Sequence, residues 1–327
     1  LKILVTGGAG FIGSNFIRLL LRAHPEDQII NFDLLTYAGQ LTNLTNLPNQ
    51  ANYSFVKGDI ADSQAVGQVV KNNRIEAIVN FAAESHVDRS ILNAAPFIHS
   101  NIDGVATLLA IAKKYQLTKF VQVSTDEVYG STPLHTKFDE QAPLSPSSPY
   151  AASKAAADLL TLSYFKTFGL KACVTRSANN YGPYQFPEKL VPLMVTAALN
   201  GRKLPVYGTG KNSRDWLNVL DNCRAIDLVL RSGHPGQIYN IAAHNYRTNL
   251  QIVDRIKKQL EAAQPQIAFV KDRPGNDVRY VIDDSKIRHE LGWRPEFDFE
   301  TGMGDTIDWY VIHPEWWEPL LTAVKNR

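Results

Sequence analysis

Three glycines at three-residue spacing, Gly7, Gly10 and Gly13, limit this fold more than any other feature. They follow Lys2-Ile-Leu-Val-Thr6, a short buried strand by composition, and precede a helical pattern from Ser14 to about Ala23. Strand, glycines and helix in that order form the layout that cradles a dinucleotide. Glycine allows the tight turn, the approach of backbone to a pyrophosphate, and close packing of helix on strand. The helix N-terminus adds free N–H groups and positive potential for phosphates. A plain tight turn would use the same residues, so the next strand matters. Gln28 to Phe32 ends in Asp33, about 20 residues past the last glycine, where a ribose-binding carboxylate is expected. A charge there repels a 2′-phosphate and favours NAD over NADP; a helix cap or turn former is the alternative for Asp33.

The rhythm that follows is strand, helix, strand, helix. Strands are expected at Tyr53 to Val56, Glu76 to Phe81, 119–124 and Lys171 to Arg176, and helices from Pro96 to Tyr115 and from Tyr150 to about Phe168. In the first of these helices Ile98, Ile102, Val105, Leu108, Leu109 and Ala112 form an apolar stripe. This alternation predicts an α/β fold, a Rossmann-like doubly wound parallel sheet. After about residue 180 the rhythm weakens. A smaller mixed C-terminal lobe is expected, with helices over Glu188 to Asn200 and Thr248 to Ala262 and strands near 205–207 and 238–241. The expected division is 1–180 for the dinucleotide and 181–327 for the substrate, with some later segments returning to the first sheet.

The chemistry concentrates where the fifth strand ends, in Ser124-Thr125-Asp126-Glu127-Val128-Tyr129-Gly130. The carboxyl edge of such a sheet is where ligands bind. Tyr150 and Lys154 follow at i, i+4, one turn apart on one helix face. An ammonium beside a phenol favours tyrosinate, which can take a proton from a sugar hydroxyl as hydride leaves its carbon. Two adjacent carboxyls imply further proton transfers. Once C4 of a hexose is a ketone, the C5 hydrogen is acidic; one carboxylate can remove it while a carboxylic acid protonates the departing C6 hydroxyl. Two acids with opposite tasks need pKa values pushed apart. Bracing a turn is the alternative for the pair. Asp59 stands either at the adenine edge or at the cap of the next helix. His86 and Asp88 read as hydrogen-bonded loop anchors, and small Ala82 and Ala83 let a cofactor lie close over the fourth strand.

Bulk properties narrow the classes. A formal net charge of +2 with no basic block gives no nucleic-acid footprint. No apolar run approaches the roughly 20 residues of a membrane span. No signal-peptide layout precedes the first strand. Cys173 and Cys223 are the only cysteines and belong to no metal motif, so no metal site is expected and a reducing cytoplasm is the default.

The glycine loop, Asp33, Ala82-Ala83-Glu84-Ser85-His86-Val87-Asp88-Arg89-Ser90, Thr125-Asp126-Glu127, Tyr150-x-x-x-Lys154 and Asn179-Asn180-Tyr181-Gly182-Pro183-Tyr184-Gln185-Phe186-Pro187-Glu188-Lys189-Leu190 resemble the extended short-chain dehydrogenase/reductases. Within them, the whole chain is similar to the dTDP-glucose 4,6-dehydratases. The resemblance implies a lyase that makes dTDP-4-keto-6-deoxyglucose with NAD. It implies that Thr125 holds the hexose O4, that Asp126 is the acid at C6 and Glu127 the base at C5, and that Tyr150, aided by Lys154, is the base at O4. It implies that Gly7, Gly10, Phe11, Ile12, Gly13, Asp33, Thr36, Asp59, Ile60, Ala82, Ala83, Ser100, Tyr150, Lys154 and Asn180 line NAD. Ser85, Thr125, Asn179, Lys189, Leu190, Pro205, Tyr207, Arg214, Asn249, Asp272, Arg273 and Asn276 would contact the sugar nucleotide. A homodimer through a four-helix bundle, from helices near 97–115 and 150–168, is also implied. The chain departs from the family at Asn276 (usually His), Ser177-Ala178 (Cys-Ser), Asn222 (His) and Ala242-Ala243 (Gly-Gly). The same dehydration on UDP-glucose, an epimerase or reductase on this scaffold, and a catalytically dead nucleotide-sugar sensor are the rival readings.

Overall fold

Strand β1 (Lys2–Thr6) buries Ile3 and Val5 on one face and Leu4 on the other. A strand buried on both faces needs helices on both sides, and parallel crossovers supply them. The computed structural model, which describes residues 1–261 and 265–325, carries this through. Seven parallel strands form the main sheet: β1, β2 (Gln28–Asp33), β3 (Tyr53–Lys57), β4 (Ala77–Asn80), β5 (Lys119–Thr125), β6 (Ala172–Ser177) and β10 (Ile238–Ile241). Their order is β10-β6-β5-β4-β1-β2-β3. The winding reverses between β1 and β4, which opens a crevice at their carboxyl ends.

Helices α1 (Phe11–Ala23) and α8 (Val219–Ser232) cover one face, through Phe16, Ile17, Leu20, Ile226 and Val229. Helices α2 (Ser63–Asn73), α5 (Val105–Lys114) and α6 (Pro149–Phe168) cover the other, through Val66, Leu108, Leu109 and Ala157. Asp62, not Asp59, caps α2, accepting from the Gln64 and Ala65 amides. Two short helices, α3 (Val87–Leu92) and α4 (Ala95–Ile98), precede a π-helical turn, His99–Gly104, that runs into α5. The π turn rotates the helix faces. It buries Phe97 and Asn101 and leaves Ile98 49% exposed, against the 3.6-residue stripe expected from sequence. The whole stretch Ala95–Lys114 is the one helix among the described residues long and apolar enough by composition to cross a membrane; here it packs along α6 and the sheet.

The later chain builds a second cluster around Met194, Trp216, Ile252, Met303 and Trp317. It contains α7 (Leu190–Leu199), α9 (Asn249–Gln259), α11 (Phe299–Ile312) and α12 (Pro314–Lys325). Two small sheets accompany it: β7 (Asn179–Tyr181), β9 (Ser213–Asn218) and β11 (Tyr246–Thr248), mixed in direction, and β8 (Leu204–Tyr207) with β12 (Ile267–Val270). Segments 219–232 and 238–241 return to the main sheet, joined by α10 (Ser285–Leu291), whose Ile287 enters the same core. The fold is thus α/β, a Rossmann-like parallel sheet with a smaller mixed lobe.

Candidate active site

The crevice between β1 and β4 is shaped by its glycines. Gly7 has φ +67°, and a Cβ there would lie 2.5 Å from the Ala82 amide nitrogen. A Cβ on Gly13 would lie 2.4 Å from the Gly7 carbonyl oxygen. Only glycine lets this turn, β4 and α1 approach so closely. Asp33 ties the turn down: its Oδ2 accepts from the Ala9 amide at 2.9 Å and its Oδ1 from the Leu35 amide at 2.8 Å. A carboxylate has about four acceptor sites, so Asp33 keeps capacity for a diol.

One cavity of about 310 Å³ runs from this turn to the end of β5. Every residue expected at the cofactor lines it, together with Thr125, Asp126, Glu127, Ser85, Asn179 and Lys189. Asp59, at the far end, accepts from the Ala61 amide and pairs with His99 at 2.8 Å. Ser100 reaches the cavity from the π turn. Asn180 donates to the Ala178 carbonyl and accepts from Asn222 at 2.9 Å. The remaining expected substrate residues stand outside this cavity. Leu190 opens α7, Pro205 and Tyr207 lie on β8, and Asn249 opens α9. Arg214, on β9, reaches Asn276 at 3.3 Å and the Asp277 carbonyl at 2.9 Å; Asn276 in turn donates to Asp272 at 2.7 Å. Arg273 meets Asp88 at 3.3 Å, and Tyr207 donates to the same carboxylate at 3.3 Å. Asp88 is therefore a loop anchor, whereas the His86 ring has Nδ1 buried without a partner.

Local structure sets the reacting groups. Thr125 ends β5, and its hydroxyl accepts from the Glu127 amide at 3.2 Å, capping the turn that displays Asp126 and Glu127. Ser148 caps α6 through the Ala151 amide, with Pro149 next, so the helix begins at Tyr150's doorstep. Tyr150 and Lys154 lie on the buried stripe of α6, and Phe97 meets the Tyr150 ring edge-on at 6.3 Å. Lys154 donates to the Val123 carbonyl at 2.7 Å, and burial lowers its ammonium to about 8.

The electrostatics separate the two acids. Burial pushes Asp126 well above the usual carboxylate range, and the neighbouring Glu127 charge adds to this. Burial raises Glu127 too, but Arg273, Arg214 and Lys189 pull it back toward ionisation. Burial thus raises both carboxyls, with the Glu127 charge adding to the rise at Asp126 and three cations opposing it at Glu127. The expectation that Lys154 lowers Tyr150 is not met in the protein alone. Burial, then the Glu127 and Asp126 charges, raise the phenol, against the Thr125 hydroxyl, which favours its ionised form. Asp126 Oδ2 and Asn179 Oδ1 are buried without a partner. Buried polar atoms are rarely left unpaired, and these face a cavity that a ligand can fill.

A pH effect on stability follows from Asp126. Its folded carboxyl keeps a proton that the unfolded chain releases, so folding loses stability as pH rises from about 4 through the raised value. Asp126→Asn removes that loss. In substrate-free protein the variant is expected to melt higher than the parent near pH 7, with the gap closing toward pH 4 in calorimetry.

Sequence reasoning missed three groups. Glu188 gathers Tyr37 and Arg89 at the cavity wall. Asp158, one turn beyond Lys154, pairs with Arg176 at 2.8 Å, both fully buried; the i, i+4 step from Lys154 was its available signal. Glu84 lines the cavity, and burial raises its carboxyl.

A family model described as GDP-mannose 4,6 dehydratase matches residues 4–306. A dTDP-glucose 4,6-dehydratase of Streptomyces niveus is 49% identical, covering 98% of this chain and 96% of its own. The solved Bacillus anthracis dTDP-glucose 4,6-dehydratase in complex with NAD is 49% identical with a TM-score of 0.92, covering 98% of this chain and 99% of that one. DesIV from Streptomyces venezuelae, a dTDP-glucose 4,6-dehydratase solved with NAD bound, is 47% identical with a TM-score of 0.94, covering 98% and 100%. With this cleft and these relatives, the chain belongs to the dTDP-glucose 4,6-dehydratase family.

Proposed function

We propose that the protein is an NAD-retaining lyase that converts dTDP-glucose to dTDP-4-keto-6-deoxyglucose. The observation that carries the reading is the meeting of Thr125, Asp126 and Glu127 with Tyr150 and Lys154 in one cavity that begins at the glycine turn. The cofactor fits the residues present. The Gly7–Gly13 turn leaves no room for a Cβ, α1 offers its unpaired N–H groups, and Asp33 has spare acceptor sites. Phe11, Ile12, Thr36, Asp59, Ile60, Ala82, Ala83, Ser100 and Asn180 would complete its bed, with Lys154 on the nicotinamide ribose. When bound, NAD accepts hydride from C4 and returns it to C6, and its positive ring adds a cation beside Tyr150.

The chain's own residues move the protons. Thr125 holds O4 beside Tyr150, and the phenolate oxygen takes the O4 proton as the C4 ketone forms. Glu127 takes the C5 proton. Asp126 gives its proton to the C6 hydroxyl, which leaves as water. Glu127 then returns its proton to C5, and a proton passed from Tyr150 to Asp126 closes the cycle. The Glu127 charge favours a proton on Asp126, and Arg273, Arg214 and Lys189 favour ionised Glu127, which suits acid and base in these positions.

Ser85, Asn179, Lys189 and Leu190 would hold the sugar and Arg214 the diphosphate. Asp272, Arg273 and Asn276, with Pro205, Tyr207 and Asn249, would surround the nucleotide. Half-exposed Ile98 and Leu159 on the 95–114 and 149–168 helices support a homodimer through those helices. The free, buried Cys173 and Cys223 suit a reducing cytoplasm. The test is product analysis by mass and NMR after incubation with dTDP-glucose or UDP-glucose and no added cofactor. The reading expects a 4-keto-6-deoxy product, formed faster from dTDP-glucose. Equal turnover of both sugars would remove the thymidine assignment, and no dehydration of either would remove the reaction.

A further inference from the structure

Three separate segments meet at the carboxylate of Glu188. Tyr37, in the loop after β2, donates its hydroxyl to Glu188 Oε1 at 2.7 Å. From the segment after β4, Arg89 comes within 3.4 Å of Oε2 and His86 within 3.5 Å. Glu188 itself precedes α7, and its side chain is only 6% exposed. The Arg89 guanidinium also lies over the Tyr37 ring, 3.8 Å from its centroid, and Phe186 meets that ring edge-on at 5.4 Å. Burial and the Glu188 charge push the Tyr37 phenol up, so it stays a donor.

The loop that carries Tyr37 is fixed at both ends and held at its tip. At one end Asp33 accepts the amide of Leu35, which sits at φ +58°. At the other the Gln40 amide donates to the Ala9 carbonyl, in the glycine turn. Thr36, Tyr37, Ala38 and Gly39 line the same cavity as Glu188 and Lys189. The Tyr37 hydrogen bond therefore joins two separate wall segments of that cavity. We propose that Glu188 is a positioning residue: through Tyr37 and Arg89 it ties the loop over the dinucleotide to the segment over the sugar, and so keeps the cofactor in place through a turnover. This rests on the cofactor reading above. A reaction that reduces and reoxidises one cofactor molecule gains from slow release, and a half-buried hydrogen bond to a carboxylate must break before this loop lifts.

The experiment measures exchange of labelled NAD out of the holoenzyme, with no substrate present, for the parent, Tyr37→Phe and Glu188→Gln. Removing a hydrogen bond to a buried charge is expected to speed exchange about 10- to 100-fold. Activity assayed without added NAD then decays on dilution, and added NAD reverses the decay. Exchange within twofold of the parent in both variants, even with lowered melting temperatures, would make the cluster a mere brace and overturn the proposal. Should Glu188→Gln fail to fold, Tyr37→Phe, which loses a single hydroxyl, decides alone. A parent protein that binds no NAD at all would overturn the cofactor reading itself, a result distinct from fast exchange.

Discussion

Asp126→Asn combined with Glu127→Gln is expected to leave C4 oxidation in place, stop water loss, and lower turnover by at least about 10³-fold. Each general acid or base contributes roughly 10²–10⁴, and the two act in one elimination, so their effects will not simply add. In the proposed mechanism neither side chain is needed to remove the O4 proton, which is assigned to Tyr150. The substitutions preserve shape: the Thr125 hydroxyl still caps the turn through the 127 amide. After mixing with dTDP-glucose and quenching, the sugar should be a 4-ketose that retains its C6 oxygen by mass. Absorbance of reduced nicotinamide should appear and persist. A double variant that dehydrates at the parent's rate would show that the protons move through other groups.

Tyr150→Phe should fail one step earlier. Without the phenol, nothing at that position can take the O4 proton, and kcat/KM is expected to fall by about 10²–10⁴. Phenylalanine keeps the edge-on contact with Phe97 and the packing of α6, so the loss should be chemical rather than structural. Neither the ketone nor the reduced-nicotinamide absorbance should build up, in contrast with the acid-pair variant. The two variants together order the reaction: one stops before the ketone, the other after it. If Tyr150→Phe accumulated the ketose, the base at O4 would lie elsewhere, and Thr125 would need a different partner.

The parts of this molecule set by short-range rules were legible in the sequence. The glycine turn, the helix beginning at Tyr150 and the apolar strands β1, β4, β5 and β6 each follow from spacing or caps that a few adjacent residues supply. The π turn at His99–Gly104 was not, because a 3.6-residue stripe has no way to announce one extra residue per turn. Helix α8 carries an Asn218 cap and a buried stripe of Val219, Ile226 and Val229, yet it is absent from the helices expected of the C-terminal half. The irregular rhythm there hides that it belongs to the first sheet. At the site, residue types pointed to the acid pair and the Tyr–Lys pair. The cations that oppose the rise at Glu127 were not readable, since Arg214, Arg273 and Lys189 arrive from distant segments. The same holds for Glu188, whose partners lie 151 and 99 residues away in the chain.

In the proposed reaction one hydride leaves C4 and returns at C6 of the same sugar, with water lost between. The most direct test is the fate of deuterium placed at C4 of dTDP-glucose, incubated with the protein, no added cofactor and ordinary water. Deuterium is expected on the C6 methyl group of the 4-keto-6-deoxy product, with ordinary hydrogen at C5. Deuterium lost to water, or found still at C4 of an epimerised sugar, would contradict it.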